Sequence, residues 1–364
     1  MKISAITKVL EQVASLSLQE TYDNAGLITG NPGWECTGVI TSLDATEAVV
    51  KEAIEKKCNL IVAHHPIVFG GLKKITGKNY VEQTIIAAIK NDIAIYAIHT
   101  NLDNVIAGVN GRIADKIGLI NRCVLQPKPA PFKKLYTYVP TAHLEKVRNA
   151  LFEAGAGQIG NYSECSFVSP GEGTFKAGAG SSPFVGKPGE RHHEAEQKLE
   201  LVFESWKQAA VVEALLESHP YEEVAYDIIH LDNVSAGIGS GLVGELPDET
   251  GETAFLQQLK DSFGLKIIRH TALAGKKVKK IALCGGAGSF LVNAAIRCGA
   301  DFYITGDMKY HEFFDANGQL VIADIGHYES EQFSIDLLID LLTEKFPNFA
   351  VLKTGVNTNP VQYF

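Results

Sequence analysis

The stretch Cys58-Asn-Leu-Ile-Val-Ala-His64-His65-Pro66 is a short apolar run that stops on two adjacent histidines. An apolar run of this length, bounded by Pro and Gly, reads as a strand buried on both faces, as in a parallel sheet. In open α/β sheets the loops at the carboxyl ends of strands carry the chemistry, so the two histidines stand where a site is expected.

The flanking segments share one grammar. Residues 38–43 read as a strand, and Asp44-Ala-Thr46-Glu47 opens a helix to about Lys57 whose acidic first turn suits the helix dipole. After the histidines a Gly-rich passage, residues 69–77, leads to a helix over 81–90 and a strand over 93–98. That strand ends in His99-Thr100-Asn101-Leu102-Asp103-Asn104. Strand and helix alternating at short spacing means parallel βαβ units. An amphipathic helix over 3–16 and the polar turn 19–26 precede them.

At Gln126-Pro-Lys-Pro-Ala-Pro131 the pattern breaks into a Pro-rich hinge suited to a domain crossing. Beyond it the expected order is strand 134–139, helix 141–154, strand 158–168, a long mobile Gly/Pro/Ser loop 171–191, strand 198–203, helix 207–218 and strand 224–229. That β-α-β-β-α-β order is the split βαβ, ferredoxin-like arrangement. Residues 235–245, rich in Gly, read as flexible ground returning to the parallel grammar. There, strand 279–284 meets the turn Gly285-Gly-Ala-Gly288-Ser289, helix 290–298 and strand 301–305. A last strand, 320–323, and a helix over 333–345 follow.

The expected architecture is therefore an α/β domain with a parallel or mixed sheet in two similar halves, residues 1–126 and 234–364, interrupted by a ferredoxin-like α+β domain, 127–233. A net charge of −9 repels nucleic acid. No signal segment or run of roughly 18 apolar residues is found, so a soluble, cytoplasmic protein without a membrane span is expected. The six cysteines form no C-x-x-C pair, which fits buried thiols in a reducing compartment.

His64 and His65, His99 with Asp103, Asp307 with His311, and His327 with Glu331 all fall at predicted strand ends on the same side of one sheet. Imidazoles and carboxylates without thiolates suit Zn, Fe, Mn or Co in the +2 state. Neighbouring strand residues point apart, so His64 and His65 suit two metals, or one metal and a supporting role. A carboxylate from Asp103 or Glu331 can bridge ions about 3.5–4 Å apart. His327 and Glu331, four apart, share a face if a helix starts near His327. Such a centre lowers the pKa of bound water toward about 7 and supplies hydroxide, which favours hydrolysis. Asp307, His311 and His99 suit orientation or proton transfer. His192-His193-Glu194 reads as a solvated run ending the mobile loop, and Cys284-Gly-Gly-Ala-Gly288 as a tight strand-to-helix turn, since Leu291 stands where a dinucleotide fingerprint needs its third glycine.

Tyr22-Asp-Asn-Ala-Gly-Leu27, Ala63-His-His-Pro66, His99-Thr-Asn-Leu-Asp103, Cys284-Gly-Gly-Ala-Gly288, Gly306-Asp307 with Lys309-Tyr-His311, and Gly326-His327 with Glu331 together resemble the NGG-interacting-factor-3-like proteins, dinuclear metal-centre proteins known as GTP cyclohydrolase 1 type 2 homologues. Tyr22 stands where that family often has Trp. The resemblance implies two divalent ions held by His64, His65, Asp103, His327 and Glu331, with His99 nearby. It also implies a homohexameric toroid, a trimer of dimers, and a PII-like insert. The function so implied is metal-dependent hydrolysis of a nucleotide or related small molecule. The alternative is a non-catalytic regulatory or metal-insertion protein with a ligand-sensing insert.

Overall fold

The computed structural model describes residues 1–129 and 132–364. It forms two compact units, Met1–Lys128 with Ser235–Phe364, and Pro129–Val234. Of the Pro-rich hinge, Ala130 and Pro131 lie outside the described residues; the preceding part, through Pro129, is strand.

The first unit begins with α1 (Ile3–Val13), β1 (Gly26–Thr29), β2 (Val39–Asp44), α2 (Glu47–Glu55), β3 (Leu60–His65), α3 (Tyr80–Lys90), β4 (Ala94–Ala97), α4 (Thr100–Asp103), α5 (Val109–Ile117) and β5 (Ile120–Pro129). Ile3, Ile6 and Leu10 recur at helical spacing and are fully buried. Thr46 starts α2 by accepting a hydrogen bond from the Val49 amide, and Asn79 starts α3 by accepting one from Glu82.

The second unit contains β6 (Phe132–Pro140), α6 (Leu144–Glu153), β7 (Phe167–Lys176), β8 (Arg191–Glu204), α7 (Gln208–Ser218) and β9 (Tyr226–His230). Its antiparallel sheet runs β7-β8-β6-β9, the ferredoxin-like order. Leu135, Val139, Leu199 and Leu201 pack against Val147, Leu151, Val211 and Leu215 of the two helices. Two expectations change here. The strand assigned to 158–168 starts only at Phe167, and the first six residues of the expected mobile loop, 171–176, are strand. Antiparallel pairing from Phe167 with Glu200 to Lys176 with Arg191 satisfies the backbone groups of this Gly-rich stretch. His192, His193 and Glu194 therefore sit within β8 instead of at a loop end.

The first unit resumes with β10 (Val234–Gly251), α8 (Glu252–Phe263), β11 (Arg269–His270), β12 (Lys277–Ala287), α9 (Val292–Arg297), β13 (Phe302–Gly306), β14 (Val321–Asp324), α10 (His327–Glu331), α11 (Ser334–Lys345) and β15 (Val351–Lys353). The glycine-rich residues read as flexible ground are instead part of β10, an 18-residue strand. A Cβ on Gly239 would lie 2.3 Å from the Gln126 carbonyl oxygen, and one on Gly241 2.8 Å from that of Leu283. These glycines let β10 lie close against its neighbours.

The unit holds two sheets, β1-β4-β3-β2-β15 and β11-β14-β13-β12-β10-β5, where a single sheet rim was expected. Each has a parallel centre and antiparallel strands at an edge: β1 against β4, β11 against β14, β10 against β12. These antiparallel pairings end each parallel run, so the chain builds two mixed sheets. One core joins them, with Ile6, Leu10, Ile113, Phe255 and Leu338 of the helices packed among Leu60 and Val62 of one sheet and Leu283 and Phe302 of the other. Among the described residues no helix is long and apolar enough to cross a membrane.

Candidate metal centre

The carboxyl ends of parallel strands from both sheets meet in one cavity of about 890 Å³. Strand β3 delivers His64 and His65, the segment after β4 delivers His99 and Asp103, and α10, just beyond β14, delivers His327 and Glu331. The helix starts at His327, so His327 and Glu331 share a face, with His327 Nε2 3.0 Å from Glu331 Oε2.

Each histidine is clamped through Nδ1. His64 donates to the Ile98 carbonyl oxygen at 2.8 Å. His65 Nδ1 meets Asp44 Oδ1 at 2.7 Å, His327 Nδ1 meets Asp307 Oδ2 at 2.7 Å, and His99 Nδ1 meets Asp23 Oδ1 at 2.8 Å. The Nε2 atoms of His65 and His327 then face Glu331 Oε2, at 2.9 and 3.0 Å. Such outer partners fix the tautomer and ring orientation that a metal needs.

Three overlapping sets of ligand atoms lie within 4.8 Å of one another: His64, His65 and His99; His65, His327 and Glu331; His64, Asp103 and Glu331. Glu331 belongs to two of them. Among the described residues the buried atoms His64 Nε2 and Asp103 Oδ1 have no hydrogen-bond partner, and they lie 3.6 Å apart. A carbonyl oxygen can only accept, so Ile98 fixes the His64 proton on Nδ1 and leaves Nε2 a lone pair. Two buried acceptors facing each other without a donor fit a cation between them. The residues present therefore fit a divalent ion.

Protons mark the same places. Burial, helped by the neighbouring His65 and His99 and opposed by Glu331, carries His64 down to about 3. Burial also opposes charge on His65, but its bonds to Asp44 and Glu331 raise it to about 10; His327, through Glu331 and Asp307, rises to about 9. Burial and the Glu331 charge push Asp103 well above the carboxylate range, whereas His327 and His65 outweigh burial at Glu331 and hold it well below.

Glycines make the room. A Cβ on Gly286 would stand 2.3 Å from Glu331 Oε1, and one on Gly306 2.9 Å from the His327 amide nitrogen. The Cys284-Gly-Gly-Ala-Gly288 run is thus no simple turn: β12 continues through Ala287, and its glycines admit the Glu331 side chain. Asp307 takes a left-handed φ of 56° where its carboxylate reaches His327. His311 is not brought in; it lies on a 3-10 turn against Tyr310, with ring centroids 5.2 Å apart. Asp44 and Asp23 were not singled out from the sequence as partners of His65 and His99. Their signal was present, since each lies in a motif ending or preceding a strand, but the pairing spans 21 and 76 residues.

The model of the family Duf34/NIF3 (NGG1p interacting factor 3) matches residues 1–360. A Bacillus subtilis protein named GTP cyclohydrolase 1 type 2 homolog is 39% identical over 363 residues, covering 98% of this chain and 97% of its own. A Halalkalibacterium halodurans protein of the same name is 38% identical, with both chains covered in full. Among solved structures, a Bacillus cereus protein related to NIF3 superposes with a TM-score of 0.87 at 37% identity, covering 100% of this chain and 99% of that one. With a family match running from the first strand ligands through Glu331, and relatives aligned nearly end to end, the chain belongs to the Duf34/NIF3 family.

Proposed function

We propose that this protein is a metal-dependent hydrolase of a nucleotide or related small molecule, with two divalent ions held by His64, His65, Asp103, His327 and Glu331. The observation that carries this reading is the pair of buried, unpartnered acceptors His64 Nε2 and Asp103 Oδ1. They stand beside a second set, His65, His327 and Glu331, that shares the same carboxylate.

When bound, such ions supply Lewis acidity and acidify water. The chain supplies the rest. Glu331 spans both ligand sets, while Asp44, Asp307 and the Ile98 carbonyl hold the imidazoles in place. His99, anchored to Asp23, lines the cavity and carries a proton to or from the reacting molecule. The cavity volume suits a small organic molecule. The exposed rings of Tyr22, Phe69, Tyr80 and Phe290 line it and offer flat faces for a planar base. Its one arginine, Arg269, is engaged by Asp324, so an anionic group would rely on the ions for charge.

Elemental analysis of purified protein, joined to a hydrolysis screen over nucleotides and phosphoesters before and after chelation, tests the reading. Glu331→Gln is expected to lose metal and turnover together. Chelated protein retaining full activity would overturn it, and metal loading with no turnover of any substrate would favour a regulatory role.

A further inference from the structure

The unit Pro129–Val234 carries a cavity of its own, about 740 Å³, between β7, the loop that follows it and the turn at Tyr221. Its lining pairs aromatic rings with a buried carboxylate. The ring centroids of Phe175 and Phe184 lie 6.2 and 6.3 Å from that of Tyr221. Glu196, only 8% exposed, accepts a hydrogen bond from Tyr221 Oη at 2.8 Å. Among the described residues no lysine, arginine or histidine nitrogen lies within 4.0 Å of that carboxylate. Lys198, nearby in the lining, is drawn instead to Glu200 at 3.0 Å and lies 4.4 Å from the Tyr136 ring centre.

A carboxylate buried against one neutral hydroxyl is costly unless something positive joins it. The sequence keeps this arrangement with care. A Cβ on Gly173 would stand 2.1 Å from Glu196 Oε2, so the strand opposite is a glycine where the carboxylate needs room. His219 fixes the turn: its Nδ1 accepts from the Tyr221 amide at 3.1 Å and its Nε2 donates to the Tyr138 carbonyl oxygen at 3.1 Å. The remaining charged lining adds Glu172, Glu222 and Glu223 and one further lysine, Lys176, so carboxylates outnumber amines. Aromatic faces and carboxylates attract the same species, because ring quadrupoles and negative charge both favour a cation.

We propose that this cavity is a binding site for an organic cation, an amine with an apolar or aromatic body, whose ammonium group pairs with Glu196 and whose body lies among Phe175, Phe184 and Tyr221.

The test is calorimetric titration of the full chain with three molecules of one shape and different charge: tryptamine, 3-methylindole and indole-3-propionate. Saturable binding of tryptamine is expected, with the neutral and anionic analogues weaker by about tenfold or more. Glu196→Gln should weaken tryptamine by a similar factor while leaving the analogues unchanged. Phe184→Ala, at a ring 52% exposed on the loop, should weaken tryptamine without affecting folding, and stands in if the Glu196 variant does not fold. The proposal is overturned if tryptamine does not bind, including because a second copy of the chain covers the cavity. Equal affinity for all three molecules, or tryptamine binding indifferent to both substitutions, overturns it as well.

Discussion

At the residue scale, the candidate metal centre rests on side chains that hold other side chains. Asp44 touches no ligand atom of the centre except through His65, yet it fixes which nitrogen of that ring faces inward. Asp44→Ala is expected to weaken metal affinity about 10- to 100-fold, measured by competition with a chelator, with the fold retained. Gly286→Ala should have a comparable effect by a different route: its Cβ displaces the Glu331 carboxylate, so bound metal falls even though every ligand is present. Of the eight side chains that the sequence placed at strand ends, His64, His65, His99, Asp103, His327 and Glu331 are brought together by the fold and Asp307 holds His327, whereas His311 stays outside. They were legible because polar groups ending apolar runs are costly without a purpose. Asp44 and Asp23 were not, since an aspartate before a helix or in a polar turn has an ordinary local explanation and its partner is set by tertiary packing. In the other unit, burial lowers the pKa of His219. The unfolded chain then takes up a proton before the folded one does, so this contribution to stability is intact above about pH 6.5 and declines as the pH falls below it. His219→Gln should flatten thermal stability between pH 7 and pH 5 relative to the parent; an unchanged slope would refute the assignment.

Many elements that depend on hydrophobic period were read correctly in kind, although α5 and α8 were not assigned and the strand expected over 158–168 starts only at Phe167; those that depend on glycine were missed. The α2 and α3 helices and strands β2, β3 and β4 carry apolar runs or caps that announce them. In contrast, β10 and the hairpin of β7 with β8 are rich in glycine, and local propensity favours loop there. What makes them strands is the partner: at Gly239 and Gly241 of β10 neighbouring backbone lies so close that a side chain would not fit, and β7 is held by its antiparallel pairing with β8. The consequence is measurable. Gly241 has φ +66° and faces the Leu283 carbonyl, so Gly241→Ala should destabilise the first unit by roughly 1–3 kcal/mol in denaturant unfolding, although alanine is the better former of regular structure elsewhere.

At the scale of the molecule, the ligands come from two chain segments that flank the other unit, and one hydrophobic core joins both sheets. Metal binding should therefore stabilise Met1–Lys128 with Ser235–Phe364 and leave Pro129–Val234 unaffected. In calorimetry, chelation is expected to lower the unfolding temperature of one transition only, equivalent to about 3–4 kcal/mol when free ion stands at about 100 to 1,000 times its Kd. A uniform shift of both transitions would contradict this. The ferredoxin-like order of the smaller unit was visible in the sequence because alternating strands and helices survive errors in their boundaries. The division of the larger unit into two sheets was not, because the pairings that separate them are antiparallel edges made by residues far apart in the chain.

The split ligand set also has a consequence in time. Asp103 and Glu331 are separated by 228 positions, 331 minus 103, so a ribosome working at about 5–20 residues per second releases the second half of the site roughly ten to forty-five seconds after the first. During that interval His64, His65 and Asp103 lack Glu331, the carboxylate common to two of the three ligand sets. The two sets that contain Glu331 therefore cannot close until residue 331 has been made and its segment has met the first one; only the set His64, His65 and His99 is complete before then.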